Sequence, residues 1–251
     1  MTSTPPFPDL LPLIESRSAA LRDAVAAAPD RTARVPGCPD WALTDLVAHL
    51  GAVHRFWAAT VADADDSRAP SAERIGDREP HGDLLEWSAA STELLLAALR
   101  DAGPESPSWA WWSDSGAPLT AAAVARHQVQ EAAVHAYDAQ ETIGRAEPLP
   151  AAVAVDGVGE FLSVGLASLG AWPHRPARVG FQAIEGPSWT LDLSPAGAKE
   201  GPAASGDPVT RIQATASDLV LALYARIPLS EVRIDGDRAV AGQLIAWSNS
   251  D

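Results

Sequence analysis

The strongest constraint on the fold is a series of four long, alanine-rich amphipathic segments in the first 145 residues. They predict helices over residues 8–29, 40–64, 81–103 and 119–144. Asp40 is placed to cap the start of the second, and Gly103 closes the third. The fourth begins near Thr120 and ends at Gly144. Helices of this kind bury their apolar stripes against one another, so we expect a four-helix bundle with inward-facing sites.

The second part of the chain has a different pattern. Helical spacing continues to about Leu169, and β-rich stretches then alternate with short amphipathic ones. Ser217 is placed to cap the first of these late helices. The predicted fold class is therefore α+β with two domains, a helical bundle over residues 1–148 and a small α/β domain over residues 149–251. The predicted strands are 177–184, 188–195, 209–215 and 230–236, and the late helices are 216–228 and 237–248.

Composition limits the classes of partner. The net charge of −15 disfavours nucleic acids and anionic membrane surfaces, because binding to phosphate groups depends on Lys and Arg. We see no uninterrupted apolar run of membrane-spanning length and no basic region followed by an apolar one at the N-terminus. We therefore expect a cytoplasmic protein, a monomer or a homodimer, that acts on small molecules.

A pair of side chains in the fourth helix suggests metal chemistry. Glu131 and His135 are four residues apart, so they lie on one helical face about 5–6 Å apart at Cβ. A carboxylate and an imidazole suit zinc or a similar divalent ion, but a third ligand is needed. His127 lies about 12 Å from His135 along the helix, which is too far for it to bind the same ion. The second helix offers His49 and His54. Helical phase slightly favours His54, which falls within the apolar stripe, over His49 at its edge, but periodicity alone leaves both open.

Three further residues have both a structural and a functional interpretation. Asp138 is three residues beyond His135 and is either a hydrogen-bond acceptor for that ring or a solvated helix charge. Cys38 is the only cysteine and lies in the turn-rich segment VPGCPDW, where an inert residue is favoured over a nucleophile. Arg226 ends the segment LYAR, where an ordinary surface arginine is the simpler reading.

Several segments together resemble the mycothiol-dependent maleylpyruvate isomerase family. The segments VPGCPDWALTDLVAHLGAVHRFW and RHQVQEAAVHAYDAQ are similar in order and distance to the family's N-terminal domain, which belongs with the DinB-like four-helix metalloproteins. The segment SDLVLALYARIPLSEVRIDGD resembles its C-terminal domain, a small sterol-carrier-like fold. The resemblance covers nearly the whole chain.

The resemblance implies specific roles for residues. It implies a divalent metal, such as zinc, held by His49, Glu131 and His135, with Arg226 facing the site as a group that binds a substrate carboxylate. It also implies mycothiol, the low-molecular-weight thiol of actinobacteria, as cosubstrate. Ala136 and Tyr137 stand where the family usually has Arg and Trp, which leaves the ligands intact and bears on substrate preference.

Two functional hypotheses follow. The first is a metalloenzyme that activates mycothiol as a thiolate for attack on an electrophilic small molecule, as an S-transferase or as a maleylpyruvate cis-trans isomerase. The second is a non-catalytic metal-binding or small-ligand-binding regulatory protein. An intact set of three ligands favours chemistry, because three protein ligands leave an open position on the metal.

Overall fold

A computed structural model describes residues 4–201 and 206–249. The described chain forms two compact units. The helical unit comprises residues 5–111 and 118–149, and the sheet unit comprises residues 112–117 and 150–251 within the described ranges. The predicted α+β fold class with two domains is confirmed. The short segment 112–117 groups with the sheet unit, so the chain passes between the units more often than a single boundary at residue 148 implies.

Four long helices build the helical unit. Helix α2 packs on α4, α1 packs on α5, and α2 also meets α5. Buried apolar residues of α1, α2 and α5 form one core cluster, in which Leu21, Leu46, Leu50 and Ala132 are fully buried. The helices are α1 (Phe7–Ala27), α2 (Leu43–Asp63), the single turn α3 (Ala72–Ile75), α4 (Leu84–Ala102) and α5 (Ala121–Thr142).

The predicted ends of the third and fourth helices are confirmed. Helix α4 ends before Gly103, which has φ 75°. Thr120 caps α5 by accepting a hydrogen bond from the amide of Ala123, and Gly144 follows the end of α5 with φ 68°. Positive φ is the conformation that glycine adopts without strain, so both glycines stop their helices as the sequence suggested.

The start of the second helix was wrongly predicted. Asp40 does not cap it, because residues 34–42 form a β-hairpin rather than a loop followed by a helix. The hairpin consists of β1 (Arg34–Val35) and β2 (Cys38–Ala42), and Val35 pairs with Cys38. The carboxylate of Asp45 then accepts a hydrogen bond from the amide of Ala42, at 2.9 Å, where α2 begins.

The sheet unit contains a five-stranded sheet in the order β5-β4-β3-β6-β7. Strands β3 and β6 are parallel, and the other neighbours are antiparallel. Alternate residues of the central strand β3, such as Val179 and Phe181, are buried, and helices α7 and α8 pack against β3 and β6. The elements are α6 (Ala151–Glu160), β3 (Ala177–Ala183), β4 (Ser188–Ser194), β5 (Gly197–Glu200), β6 (Thr210–Ala214), α7 (Ala216–Leu223), β7 (Arg233–Gly236) and α8 (Arg238–Ser248).

The expected cap of α7 lies two residues away from its true position. Thr215, not Ser217, caps the helix by accepting a hydrogen bond from the amide of Asp218 at 3.0 Å. Ser217 lies inside the first turn and is buried. The sequence offers two hydroxyl residues at this point, and only backbone geometry distinguishes them.

Helix α6 continues directly through a π-helical turn at Phe161–Gly165 and a 3-10 turn at Leu166–Ser168. The whole stretch Ala151–Ser168 is long and apolar enough to cross a membrane when judged by length and composition alone. It includes Asp156 and Glu160, both buried, and 56% of the segment is buried inside the protein. The core helix of a globular domain has the same properties.

Candidate metal centre

Helices α2 and α5 bring His49, Glu131 and His135 together although His49 and Glu131 are 82 residues apart in the chain. His49 Nε2 lies 3.0 Å from Glu131 Oε1, and His135 Nε2 lies 3.3 Å from the same oxygen. One potential ligand atom from each residue lies within 4.8 Å of the other two. We call these three residues the Nε2 set.

The distances fit the binding of one ion. Donors bound at about 2.0–2.2 Å in a tetrahedral arrangement lie about 3.3–3.6 Å apart, close to these two contacts. His49, whose side chain is 33% exposed, forms part of the wall of an open cavity of about 460 Å³. Trp41 and Arg78 also line this cavity. A ligand in the cavity therefore reaches His49, the most exposed member of the Nε2 set.

Burial and charge oppose each other at Glu131. Burial alone would raise the pKa of this carboxyl, but the charge of His135 and hydrogen bonds from His135 and His49 lower the pKa well below its usual value. The charge of His127 acts in the same direction. Glu131 is therefore a carboxylate at neutral pH, which is the form that binds a metal ion.

His135 has a carboxylate at each of its two ring nitrogens. Burial would lower its pKa, but the charge of Glu131 and a hydrogen bond to Asp138 raise the pKa to about 9. Nδ1 lies 3.0 Å from Asp138 Oδ2 and Nε2 faces Glu131, so the protonated ring donates from both nitrogens. A divalent cation would replace the Nε2 proton and leave the Nδ1 hydrogen bond in place, which is the usual support for a metal-binding histidine.

Asp138 thus occupies the position expected for an acceptor that orients His135. Its side chain is fully buried, which is not the environment of a solvated helix charge. The buried carboxylate also lies 3.9 Å from the thiol sulfur of Cys38. Cys38 therefore contacts the residue that orients the candidate ligand His135.

The structure places His54 elsewhere. Its ring is fully buried between α2 and α4, and its Nδ1 lies 3.2 Å from the hydroxyl of Thr92. That hydroxyl donates its single proton to the carbonyl of Ser88 and accepts a hydrogen bond from Arg22, so it accepts from His54 as well. His54 Nδ1 therefore carries the proton.

The environment of His54 keeps it neutral. Burial lowers its pKa to about 3, although the charge of Glu131 acts against this. Among the described residues, His54 Nε2 has no hydrogen-bond partner. Of the two candidates on the second helix, it is His49 that meets Glu131 and His135, and His54 lies outside the group.

The two remaining candidates, His127 and Arg226, are not members of the Nε2 set. His127 packs edge-on against Trp57 and Trp111, with ring centroids 6.2 and 5.5 Å away. Arg226 belongs to the sheet unit, where its Nη1 donates to the carbonyl of Tyr224 at 2.9 Å. Its proposed contact with a substrate carboxylate stays a prediction.

The role of the β1–β2 hairpin at the site was not predicted from the sequence. The ring centroid of Trp41 lies 4.6 Å from that of His49 and 6.1 Å from that of His135, so strand β2 covers both ligand rings. The dipeptide Pro36–Gly37 between Val35 and Cys38 is a turn signal that predicts a tight hairpin. Reading it that way would have placed Cys38 and Trp41 on one strand beside the ligands.

A comparison with known families matches the helical part of the chain. The sequence profile of the mycothiol maleylpyruvate isomerase N-terminal domain matches residues 11–140, a range that contains the whole Nε2 set. No protein with a curated description matches the sequence.

Two solved structures are similar in fold. A crystal structure of a point mutant of the mycothiol-dependent maleylpyruvate isomerase matches with a TM-score of 0.59 and 14% identity, over 92% of this chain and 93% of that chain. A second crystal structure of that isomerase matches with a TM-score of 0.55 and 14% identity, over 86% of this chain and 88% of that chain. At this level of identity the likeness establishes the fold alone.

Proposed function

The chain belongs to the family of the mycothiol maleylpyruvate isomerase N-terminal domain, and from this premise we propose that it is a metal-dependent enzyme that uses mycothiol. The proposed reaction is attack of the thiol sulfur on an electrophilic carbon of a small molecule. An S-transferase keeps the resulting S–C bond. A maleylpyruvate cis-trans isomerase allows rotation about the former double bond and then releases the thiolate.

The observation that carries the proposal is the convergence of His49, Glu131 and His135 on one point beside an open cavity. A divalent cation bound there would supply Lewis acidity, which lowers the pKa of a coordinated thiol. Two neutral imidazoles and one carboxylate contribute a single negative charge. An incoming thiolate would neutralise the remaining positive charge, so the donor set favours an anionic ligand from outside.

The protein residues have separate tasks in this proposal. Glu131 supplies the negative charge and His135 is held in place by Asp138. Trp41 covers the two ligand rings on one side and limits water there. Arg226 is proposed to bind a substrate carboxylate, which a guanidinium does with two parallel hydrogen bonds.

Turnover with a defined thiol tests this function. Zinc-loaded protein should consume maleylpyruvate or an electrophile such as a chlorodinitrobenzene in a reaction that requires mycothiol, and chelation of the metal should abolish it. Formation of fumarylpyruvate indicates an isomerase, and a stable thioether indicates an S-transferase. Replacement Arg226→Gln should raise KM for a carboxylate substrate with little effect on the neutral electrophile.

A protein that binds zinc and mycothiol but transforms neither class of substrate would favour the alternative, a non-catalytic binding or regulatory protein. A carrier of apolar ligands would need an apolar cavity in the sheet unit. The cavity of about 420 Å³ found there has a mixed lining, in which His174, Arg175, Asp237 and Gln243 stand among apolar residues, so it is not the apolar cavity that such a carrier needs. We therefore favour the enzyme.

A further inference from the structure

His135 lies between two groups of potential ligands, one at each ring nitrogen. Nε2 faces Glu131 and His49, as described above. On the other side, Nδ1 lies 3.0 Å from Asp138 Oδ2, which in turn lies 3.9 Å from Cys38 Sγ. A potential ligand atom from each of Cys38, Asp138 and His135 lies within 4.8 Å of the other two, as in the Nε2 set. We call this second group the Nδ1 set.

The β1–β2 hairpin creates the Nδ1 set. The turn at residues 36–37 places Cys38 opposite Val35, which is fully buried, and the hairpin packs on α5. Asp138 is fully buried on α5, whereas Cys38 is only half-buried. A cation can therefore reach the thiol from the side of the hairpin and meet the carboxylate behind it.

The chemistry of the two sets differs. The Nε2 set offers two imidazoles and one carboxylate, and therefore one negative charge. The Nδ1 set offers a thiolate, a carboxylate and an imidazole, whose two negative charges neutralise a divalent cation without any ligand from outside. Thiolate ligands select soft and borderline cations such as Cd²⁺ and Zn²⁺.

We propose that Cys38, Asp138 and His135 form a second cation site, selective for thiophilic divalent ions, that shares His135 with the proposed Nε2 set. Binding releases two protons to solvent, the thiol proton of Cys38 and the Nδ1 proton of His135. His135 then carries its remaining proton on Nε2, where Glu131 accepts it. The tautomer that binds a cation through Nδ1 is the opposite of the one that binds through Nε2.

The two sites consequently exclude each other. A neutral imidazole has one nitrogen lone pair, so it serves a cation on one side only. Asp138 also cannot accept the Nδ1 hydrogen bond of His135 while a cation occupies the space between them. A thiophilic ion in the Nδ1 set therefore removes both a ligand and its support from the Nε2 set, and it would inhibit or regulate a reaction carried out there.

Cadmium provides a direct test because Cys38 is the only cysteine in the chain. In thiol-free buffer, ultraviolet charge-transfer absorption between a thiolate and cadmium reports Cys38 alone. The full-length variant His49→Ala, which weakens the Nε2 set, should develop this absorption and saturate at about one cadmium ion per chain. Replacement Cys38→Ser in the same background should abolish it.

A lone thiol also binds cadmium weakly, so the partners of Cys38 need their own test. Adding Asp138→Asn or His135→Gln to His49→Ala should raise the Kd for cadmium at least about tenfold, because each removes one donor. Two substitutions keep the test valid if one of them impairs folding. An unchanged Kd in a folded variant would overturn the proposal.

Competition tests the shared ligand. In wild-type protein, saturation of the Nε2 set with Mn²⁺, which binds thiolates weakly, should raise the apparent Kd for cadmium, followed by charge-transfer absorption, by at least about tenfold. Independent binding of the two ions would overturn mutual exclusion. Absorption in the His49→Ala variant does not depend on catalysis. The second cation site is therefore tested separately from the proposed enzyme function.

Discussion

His135 and His54 are both buried in the helical bundle, yet their surroundings drive them in opposite directions. His135 lies between two carboxylates on α5, and its pKa rises to about 9. His54 lies between α2 and α4 beside the hydroxyl of Thr92, and its pKa falls to about 3. Burial lowers the pKa in both cases, so the nearby negative charge decides the outcome.

The difference shows what makes a buried histidine a candidate ligand. His135 has an anion at each nitrogen, so a cation that takes the place of the Nε2 proton lies beside carboxylates that offset its charge. A cation at His54 would face a neutral hydroxyl and a nearby arginine, since Arg22 also donates to Thr92. The nearby carboxylates therefore distinguish a candidate metal ligand from a buried structural histidine.

The largest expected effect is on metal content. In a Cys38→Ser background, which removes the thiolate of the Nδ1 set, replacements His135→Gln, His49→Ala and Glu131→Ala should each abolish stoichiometric zinc binding, because each removes one of the three donors of the Nε2 set. The matched replacement His54→Gln should leave it unchanged. Mass spectrometry of the purified, zinc-equilibrated proteins measures the ratio of zinc to protein.

Loss of zinc from His54→Gln, together with retention of zinc by His49→Ala, would contradict the assignment of His49 as a ligand. In that event His54 would be the third ligand. Far-ultraviolet circular dichroism of each variant separates loss of a ligand from loss of the fold.

Stability of the metal-free protein should respond to pH with opposite signs at the two histidines. The raised pKa of His135 stabilises the fold below pH 6.5, and about 3 kcal/mol is lost as the pH rises from 6.5 to 9. The depressed pKa of His54 stabilises the fold above pH 6.5, and about 2 kcal/mol is lost as the pH falls from 6.5 to 5. Urea unfolding at pH 5, 6.5 and 9 measures both.

Each limb of this profile has its own variant. His135→Gln should flatten the alkaline limb and His54→Gln the acid limb. If both variants flatten the same limb, the two environments do not differ as described.

A smaller effect is expected from Asp138→Asn, which keeps the shape of the side chain and removes its charge. Loss of the charged acceptor of His135 should weaken zinc binding by about 10–100-fold while the stoichiometry is retained. Competition with a chromophoric chelator measures the affinity. An unchanged affinity would mean that Asp138 does not orient the ligand.

The smallest expected effect is a change in stability caused by a substitution beside His54. Thr92→Val keeps the shape but leaves His54 Nδ1 and Arg22 Nη1 without this acceptor, and should lower the free energy of unfolding by about 1–3 kcal/mol. Zinc affinity should not change. A variant that lost zinc affinity instead would connect the two regions that we describe as independent.

Sequence patterns predicted the helices and strands that have a clear hydrophobic periodicity. They missed the short strands whose position depends on tight turns. The long helices and the strands at 177–183, 188–194 and 210–214 have clear spacing. Strand β5 has only four residues, Gly197–Glu200, and was not predicted. The hairpin that carries Cys38 and Trp41 was read as a loop because strands of two and five residues leave little alternation to detect.

The candidate site was predictable within one helix and not between helices. Glu131 and His135 follow from helical spacing, since both lie on α5. The choice between His49 and His54 depends on how α2 is rotated towards α4 and α5, which periodicity did not determine. The family resemblance favoured His49, and the structure shows His49 in contact with Glu131.

The separation of His49 and Glu131 along the chain affects how the protein resists unfolding and proteolysis. An ion held by both would act as a reversible cross-link that closes a loop of 82 residues. Closing so long a loop removes many conformations from the unfolded chain, much as a disulfide does. In a chain with a single cysteine, which forms no disulfide of its own, a metal would take over this role. The loaded protein should therefore unfold more slowly and resist proteases between α2 and α5.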